Sequence, residues 1–214
     1  MSSSPVTGAP AAPLVDAVLL DLDGVIRHFD PGHPTALEAE HGLAEGAILA
    51  AAFAPELLDD VTCGRITKDA WITAVGEAIG APEAAASWGS SPATVDEEVL
   101  AIADALRAGG IVVGVLTNGT DTVPAELAAL GIDDRFDHLF NSAAIGFAKP
   151  DRRVFAAACE ALGLAPERVA FTDDSPAKLA GARELGLPVD VFTGAAGLRA
   201  FLAGLGLPVD GGRE

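Results

Sequence analysis

Three short apolar runs, each breaking off into a polar cluster, constrain the fold of this 214-residue chain more than any other feature. Residues 15–22 (VDAVLLDL) run into Asp21, Asp23 and Gly24, residues 111–116 (IVVGVL) into Thr117-Asn118-Gly119, and residues 169–172 into Asp173-Asp174. Branched apolar runs of this length suit strands buried on both faces. Helical stretches separate them, and strands alternating with helices predict an α/β fold, a three-layer, Rossmann-like parallel sheet core. Ligands of such sheets bind outside the carboxyl ends of the strands, so the three clusters are expected to meet.

Between the first and second runs the pattern changes. Residues 34–88 hold alanine-rich helical segments (ALEAEHG, GAILAAAF, TKDAWITAVGEAIG) joined by Gly and Pro, without a strand pattern. They predict an inserted helical cap over 28–92, with the core over 14–27 and 93–214 and a frayed, disordered tail over 1–13. Trp71 and Trp88 read as the cap's own core. Further elements are expected as a helix ending near Gly109-Gly110, a helix over 124–130, a strand over 138–140, a helix over 153–162, and a last βα pair over 189–192 and 198–205.

Composition narrows the function classes. A formal net charge of -18 and the lack of any Lys/Arg run argue against nucleic acid as a partner. No stretch reaches the roughly 18 apolar residues that would span a bilayer, so no membrane partner is expected. The opening MSSSPVTGAPAA lacks the basic and apolar regions of a signal peptide. Cys63 and Cys159 show no metal-ligand or disulfide spacing, which fits a reducing, cytoplasmic location. The apolar surface of the cap leaves monomer and homodimer equally open.

The polar clusters supply the parts that phosphoryl transfer needs: a nucleophile, cations for the equatorial oxygens, and a proton donor for the leaving oxygen. Asp21 and Asp23, one residue apart, face the same way if the strand persists, so one can attack while the other handles the proton. Thr117 and Asn118 offer a hydroxyl, an amide and backbone N–H groups to phosphate oxygens. The chain has only three lysines, Lys68, Lys149 and Lys178, which makes Lys149, a candidate to hold the nucleophile ionised, more informative than an ordinary lysine. Asp21, Asp173 and Asp174 form an oxygen set suited to Mg2+.

DLDGV at 21–25, LTNG at 116–119, KP at 149–150 and FTDDS at 171–175 resemble, in order and spacing, the four motifs of the haloacid dehalogenase-like hydrolase superfamily. The resemblance implies a catalytic trio of Asp21 as nucleophile, Asp23 as general acid and base, and Lys149 as the stabilising lysine. It also implies Thr117 as the phosphate-binding hydroxyl, and Mg2+ held by Asp21, the Asp23 backbone carbonyl and Asp174, with Asp173 close by. The inserted segment resembles the smaller of the family's cap types. Asp23 favours phosphate esters, since the family's dehalogenases and phosphonate hydrolases lack an aspartate there. The sequence departs from many relatives at Lys178, where they carry asparagine.

The expected function is therefore a magnesium-dependent phosphatase acting on a small phosphorylated metabolite. A phosphosugar mutase and a non-catalytic binding protein on the same scaffold are the alternatives. Each motif alone has a plainer explanation: Asp-Leu-Asp-Gly as a turn, Thr117-Asn118-Gly119 as a loop, Ser175-Pro176 as a helix start. Arg65, in the cap loop Cys63-Gly64-Arg65, is a candidate contact for the distal part of the substrate or a solvated arginine. His28 is assigned no role.

Overall fold

The computed structural model describes residues 12–209. The expected tail lies outside them apart from residues 12 and 13. In chain order the elements are β1 (Ala17–Leu20), β2 (Arg27–Phe29), α1 (His33–His41), α2 (Ala47–Ala52), α3 (Pro55–Thr62), α4 (Lys68–Ile79), α5 (Pro82–Gly89) and β3 (Ala93–Val95). There follow α6 (Glu97–Ala108), β4 (Val112–Thr117), α7 (Val123–Ala129), β5 (His138–Asn141), α8 (Ser142–Ile145) and α9 (Arg152–Leu162). The last are β6 (Val169–Asp173), α10 (Ala180–Leu185), β7 (Val189–Val191) and α11 (Ala195–Gly204).

Five of these strands form one sheet in the order β5-β4-β1-β6-β7, with every pairing parallel. β1 is central and buried on both faces. Its residues alternate between two apolar clusters, as the pleat requires. Val18 and Leu20 pack with α6 and α11 residues such as Ile102, Leu106 and Leu202, while Ala17 and Leu19 pack with Phe155 and Ala158 of α9 and with Phe171. Helices therefore cover both faces, and the sheet has the three-layer, Rossmann-like architecture that the alternating pattern predicts.

Helices α1–α5 form a second packing unit. Trp71 and Trp88 meet edge to face with ring centroids 5.1 Å apart, and the Trp71 indole N–H donates to the Ala52 carbonyl at 3.0 Å. Buried Glu38 of α1 accepts from the Gly46 and Ile48 amides at 2.8 and 2.9 Å, placing a carboxylate on the N-terminus of α2, where it offsets the helix dipole.

A feature without a counterpart in the sequence reading joins the two units. β2 and β3 pair antiparallel, Arg27 opposite Val95 and Phe29 opposite Ala93. Strands of three residues are too short to show alternation, so their sequences, RHF and ATV, carry no strand signal.

Candidate active site

β1, β4 and β6 are neighbours, and their register brings their carboxyl ends level: Leu20 lies beside Val115 on one side and Thr172 on the other. Asp21 follows β1, Thr117 closes β4 and Asp173 closes β6, and all three are buried. One ammonium joins two of these ends. Lys149 Nζ lies 2.7 Å from Asp21 Oδ1 and donates to Asp173 Oδ2 at 2.7 Å and to the Leu116 carbonyl at 2.9 Å.

Two side-chain bonds from Asn118 fix Lys149 in that place. The Lys149 amide donates to Asn118 Oδ1 at 2.7 Å, and Asn118 Nδ2 donates to the Lys149 carbonyl at 2.8 Å. Both ends of the Asn118 amide are thus taken up by the Lys149 backbone. The Lys149–Pro150 peptide is cis.

Burial and charge compete over the carboxylates. Burial pushes Asp21 up to about 6, against the pull of Lys149, with Asp173 adding to the rise. Burial acts in the same direction on Asp173, but there the Lys149 charge and hydrogen bond win and its pKa is lowered. Asp21 Oδ1 also accepts the Leu22 amide at 2.7 Å, whereas its buried Oδ2 has no hydrogen-bond partner.

Ligand oxygens of Asp21, Asp173 and Asp174 lie within 4.8 Å of one another. A cluster of hard oxygen donors with an unpartnered, buried carboxylate oxygen fits a small divalent cation such as Mg2+. Gly24 makes room for it: its φ is +88°, and a Cβ there would collide with Asp174 Oδ2.

Asp23 stands at the edge of this cluster in the fork of a buried arginine. Arg27 Nε donates to Asp23 Oδ1 at 2.6 Å and Nη2 to Oδ2 at 3.0 Å, while Nη1 donates to Glu126 Oε2 at 2.6 Å. Glu126 Oε1 accepts in turn from Lys68 Nζ of α4 at 2.7 Å and from the Thr122 hydroxyl at 2.7 Å. A chain of charges thus runs from Asp23 to the helical unit, which also touches the core where the Lys68 amide donates to Asp121 Oδ1 at 2.7 Å. Arg27 and Glu126 are absent from the sequence reading, and Lys68 enters it only as one of three lysines. The separation of 99 residues between Arg27 and Glu126 leaves no local pattern, and only the scarcity of lysine pointed toward Lys68.

Burial would raise Glu126, but the bonds from Lys68, Thr122 and Arg27 outweigh it and hold the carboxyl at about 2, below its ordinary 4.5. A depressed folded-state pKa contributes stability above pH 4.5 and loses it as pH falls toward 2. Between pH 5 and pH 3 the wild type is expected to lose roughly 1–2 kcal/mol through this group, allowing for its partial exposure. The Glu126→Gln variant should lack that increment in paired thermal melts. Equal pH slopes for the two proteins would count against the network.

Arg65 is half exposed, and its guanidinium bonds Asp60 Oδ1 at 2.6 Å and also Asp59. The loop that carries it, with Asp121 and Asn141, lines a cleft of about 380 Å³. That cleft opens at the carboxyl end of β5, one strand beyond Thr117. His28 lies in the β2–β3 ribbon, 3.8 Å from Asp96. Among the described residues no helix is long and apolar enough to cross a membrane.

The strand ends that carry this cluster fall within one region of known ancestry, because the family model of haloacid dehalogenase-like hydrolases matches residues 15–186. The chain belongs to that family. This hydrolase is 31% identical over 182 residues to the GMP/IMP nucleotidase YrfG of Escherichia coli (strain K12), covering 81% of its own chain and 80% of the relative. It is 32% identical over 195 residues to the phosphoglycolate phosphatase of Rhodospirillum rubrum, with 83% and 79% covered. A HAD family enzyme of Bacteroides thetaiotaomicron, solved as a magnesium complex, superposes with a TM-score of 0.70 at 22% identity over 84% of this chain and 93% of that one. At that identity the likeness is one of fold.

Proposed function

We propose that this hydrolase is a magnesium-dependent phosphatase of small phosphorylated metabolites that works through an aspartyl phosphate on Asp21. The observation that carries the reading is the convergence of Asp21, Asp173 and Asp174 around one another, with the buried Lys149 ammonium bridging the first two. The phosphatase and nucleotidase relatives support it.

An Asp21 carboxylate oxygen forms a bond to phosphorus as the ester P–O bond breaks, and the departing alkoxide takes a proton from Asp23. Asp23 then takes a proton from water, whose oxygen attacks the aspartyl phosphate and releases inorganic phosphate and the free carboxylate. Lys149 keeps Asp21 ionised against the burial that opposes it, and the Thr117 hydroxyl holds a phosphoryl oxygen. Asp21, Asp174 and the Asp23 carbonyl, with Asp173 beside them, would hold Mg2+, which supplies charge neutralisation at the phosphoryl oxygens. To reach the leaving oxygen the Asp23 carboxyl has to turn off the Arg27 fork.

In this reading helices α1–α5 are the cap, and Arg65 is the group on it that meets the distal part of the substrate. The cytoplasm is the proposed location.

The test is phosphate release from an aryl phosphate and from a panel that starts with nucleoside monophosphates and phosphoglycolate. Each substrate is assayed with Mg2+ and with excess EDTA. Turnover should appear with Mg2+ and vanish in EDTA. An undiminished rate in EDTA, or no phosphate released from any ester, would sink the proposal.

A further inference from the structure

Lys149, the lysine expected to hold the nucleophile ionised, is closed in by its partners. An ammonium carries three N–H bonds, and three acceptors surround this one: Asp21 Oδ1, Asp173 Oδ2 and the Leu116 carbonyl, at 2.7, 2.7 and 2.9 Å. Its side chain is also fully buried. It can fix the two carboxylates against each other, but a phosphoryl oxygen arriving at Asp21 would have to displace one of those contacts to reach it.

A second ammonium stands on the other side of the nucleophile. Lys178 Nζ lies 3.6 Å from Asp21 Oδ2 and 3.9 Å from Asp173 Oδ1. Those separations allow attraction and are too long for hydrogen bonds, and the oxygen it faces is the buried one without a partner. A third of the Lys178 side chain is open to solvent. Its backbone is held by the turn after β6, where the Lys178 amide donates to the Ser175 carbonyl at 3.0 Å. Burial would lower its pKa, but the charges of Asp21, Asp173 and Asp174 outweigh that and keep it protonated.

We propose, resting on the phosphatase reading, that Lys178 is the cationic side chain that binds the substrate's phosphoryl oxygens alongside Thr117, while Lys149 orders the carboxylates. The division follows from their surroundings: one ammonium is fully buried among three oxygens within 2.9 Å, and the other makes no contact that short, is partly open to solvent and stands next to the reacting carboxylate. A cation in that place has a second effect, because it also stands within 4 Å of two of the three carboxylates suited to the metal. Its charge therefore strengthens the hold on an anion and weakens the hold on a divalent cation.

Two calorimetric titrations read these opposite signs in the wild type, Lys178→Met and Lys178→Arg, after thermal melts have verified folding. With Mg2+ saturating, Lys178→Met should bind inorganic phosphate roughly tenfold or more weakly, the worth of a charged hydrogen bond, and Lys178→Arg should stay within a few-fold of wild type. Without phosphate, Lys178→Met should bind Mg2+ more tightly than wild type. Unchanged phosphate affinity in Lys178→Met overturns the proposal even if Mg2+ binding tightens, since Lys178 would then be only a counter-ion for the carboxylates. A wild type that binds no phosphate at all overturns the phosphatase reading together with it.

Discussion

Asp21→Asn is expected to lower kcat by roughly four to six orders of magnitude, the scale of losing a covalent nucleophile, with no loss of fold. Asparagine has the shape of aspartate, its Oδ1 can still accept the Leu22 amide, and Lys149 keeps its bonds to Asp173 and to the Leu116 carbonyl. The sign of the stability change follows from the electrostatics. Burial has raised the folded-state pKa of Asp21 from 3.8 to about 6, so at pH 7 the folded protein carries a charge that costs more there than in the unfolded chain. The amide removes that cost, so the melting temperature at neutral pH should hold or rise while turnover disappears. Steady-state kinetics on an aryl phosphate, paired with thermal melts, would decide it, and a variant within tenfold of wild-type kcat would remove Asp21 from the chemistry.

Lys149→Met should act in the other direction, on the fold as much as on the rate. The Asp21 and Asp173 side chains are 2% and 0% exposed, and the bridging ammonium is the cation in hydrogen-bond reach of both. Removing one partner of a buried ion pair and leaving the others in place costs about 3–5 kcal/mol. For a chain of this size that is a fall in melting temperature of roughly 10 °C. The deficit should shrink as pH is lowered through the range where Asp21 takes up a proton, because a neutral carboxyl no longer needs the ammonium. A Lys149→Met protein that melts within 2 °C of wild type at pH 7 would show that the Asp21–Lys149–Asp173 ion pairs are not a structural element.

The parts of this molecule that the chain displays locally are those where one short segment carries both an element and its chemistry. Asp21, Thr117 and Asp173 each end an apolar run, so the strand and the site residue are visible in the same few positions. The helical segment between β2 and β3 is visible for the same reason, through its alanine-rich spacing. Interactions that join distant segments leave no such trace. Arg27, Glu126 and Lys68 come from a strand, a core helix and the inserted unit, and none of them alone points to the other two. Asn118 illustrates a different limit. Its place in a strand-end motif is plain, but only the folded chain reveals that both ends of its amide hold the Lys149 backbone. Lys178 stands out in sequence merely as a departure from relatives, and its approach to Asp21 Oδ2 emerges only in three dimensions.

The paired β2–β3 ribbon has a consequence for what the scaffold can tolerate. Because Phe29 and Ala93 face each other across one ladder, the excursion between them starts and finishes about 5 Å apart. The sheet therefore perceives the whole detour as a single closed stitch. Its length and internal design can be exchanged without altering the spacing of β1 and β4, since lengthening a closed loop carries only a slowly growing entropic penalty. Variation can thus accumulate inside the stitch while β1 and β4 keep their spacing, as long as Lys68 of the insert still meets Glu126 of the core.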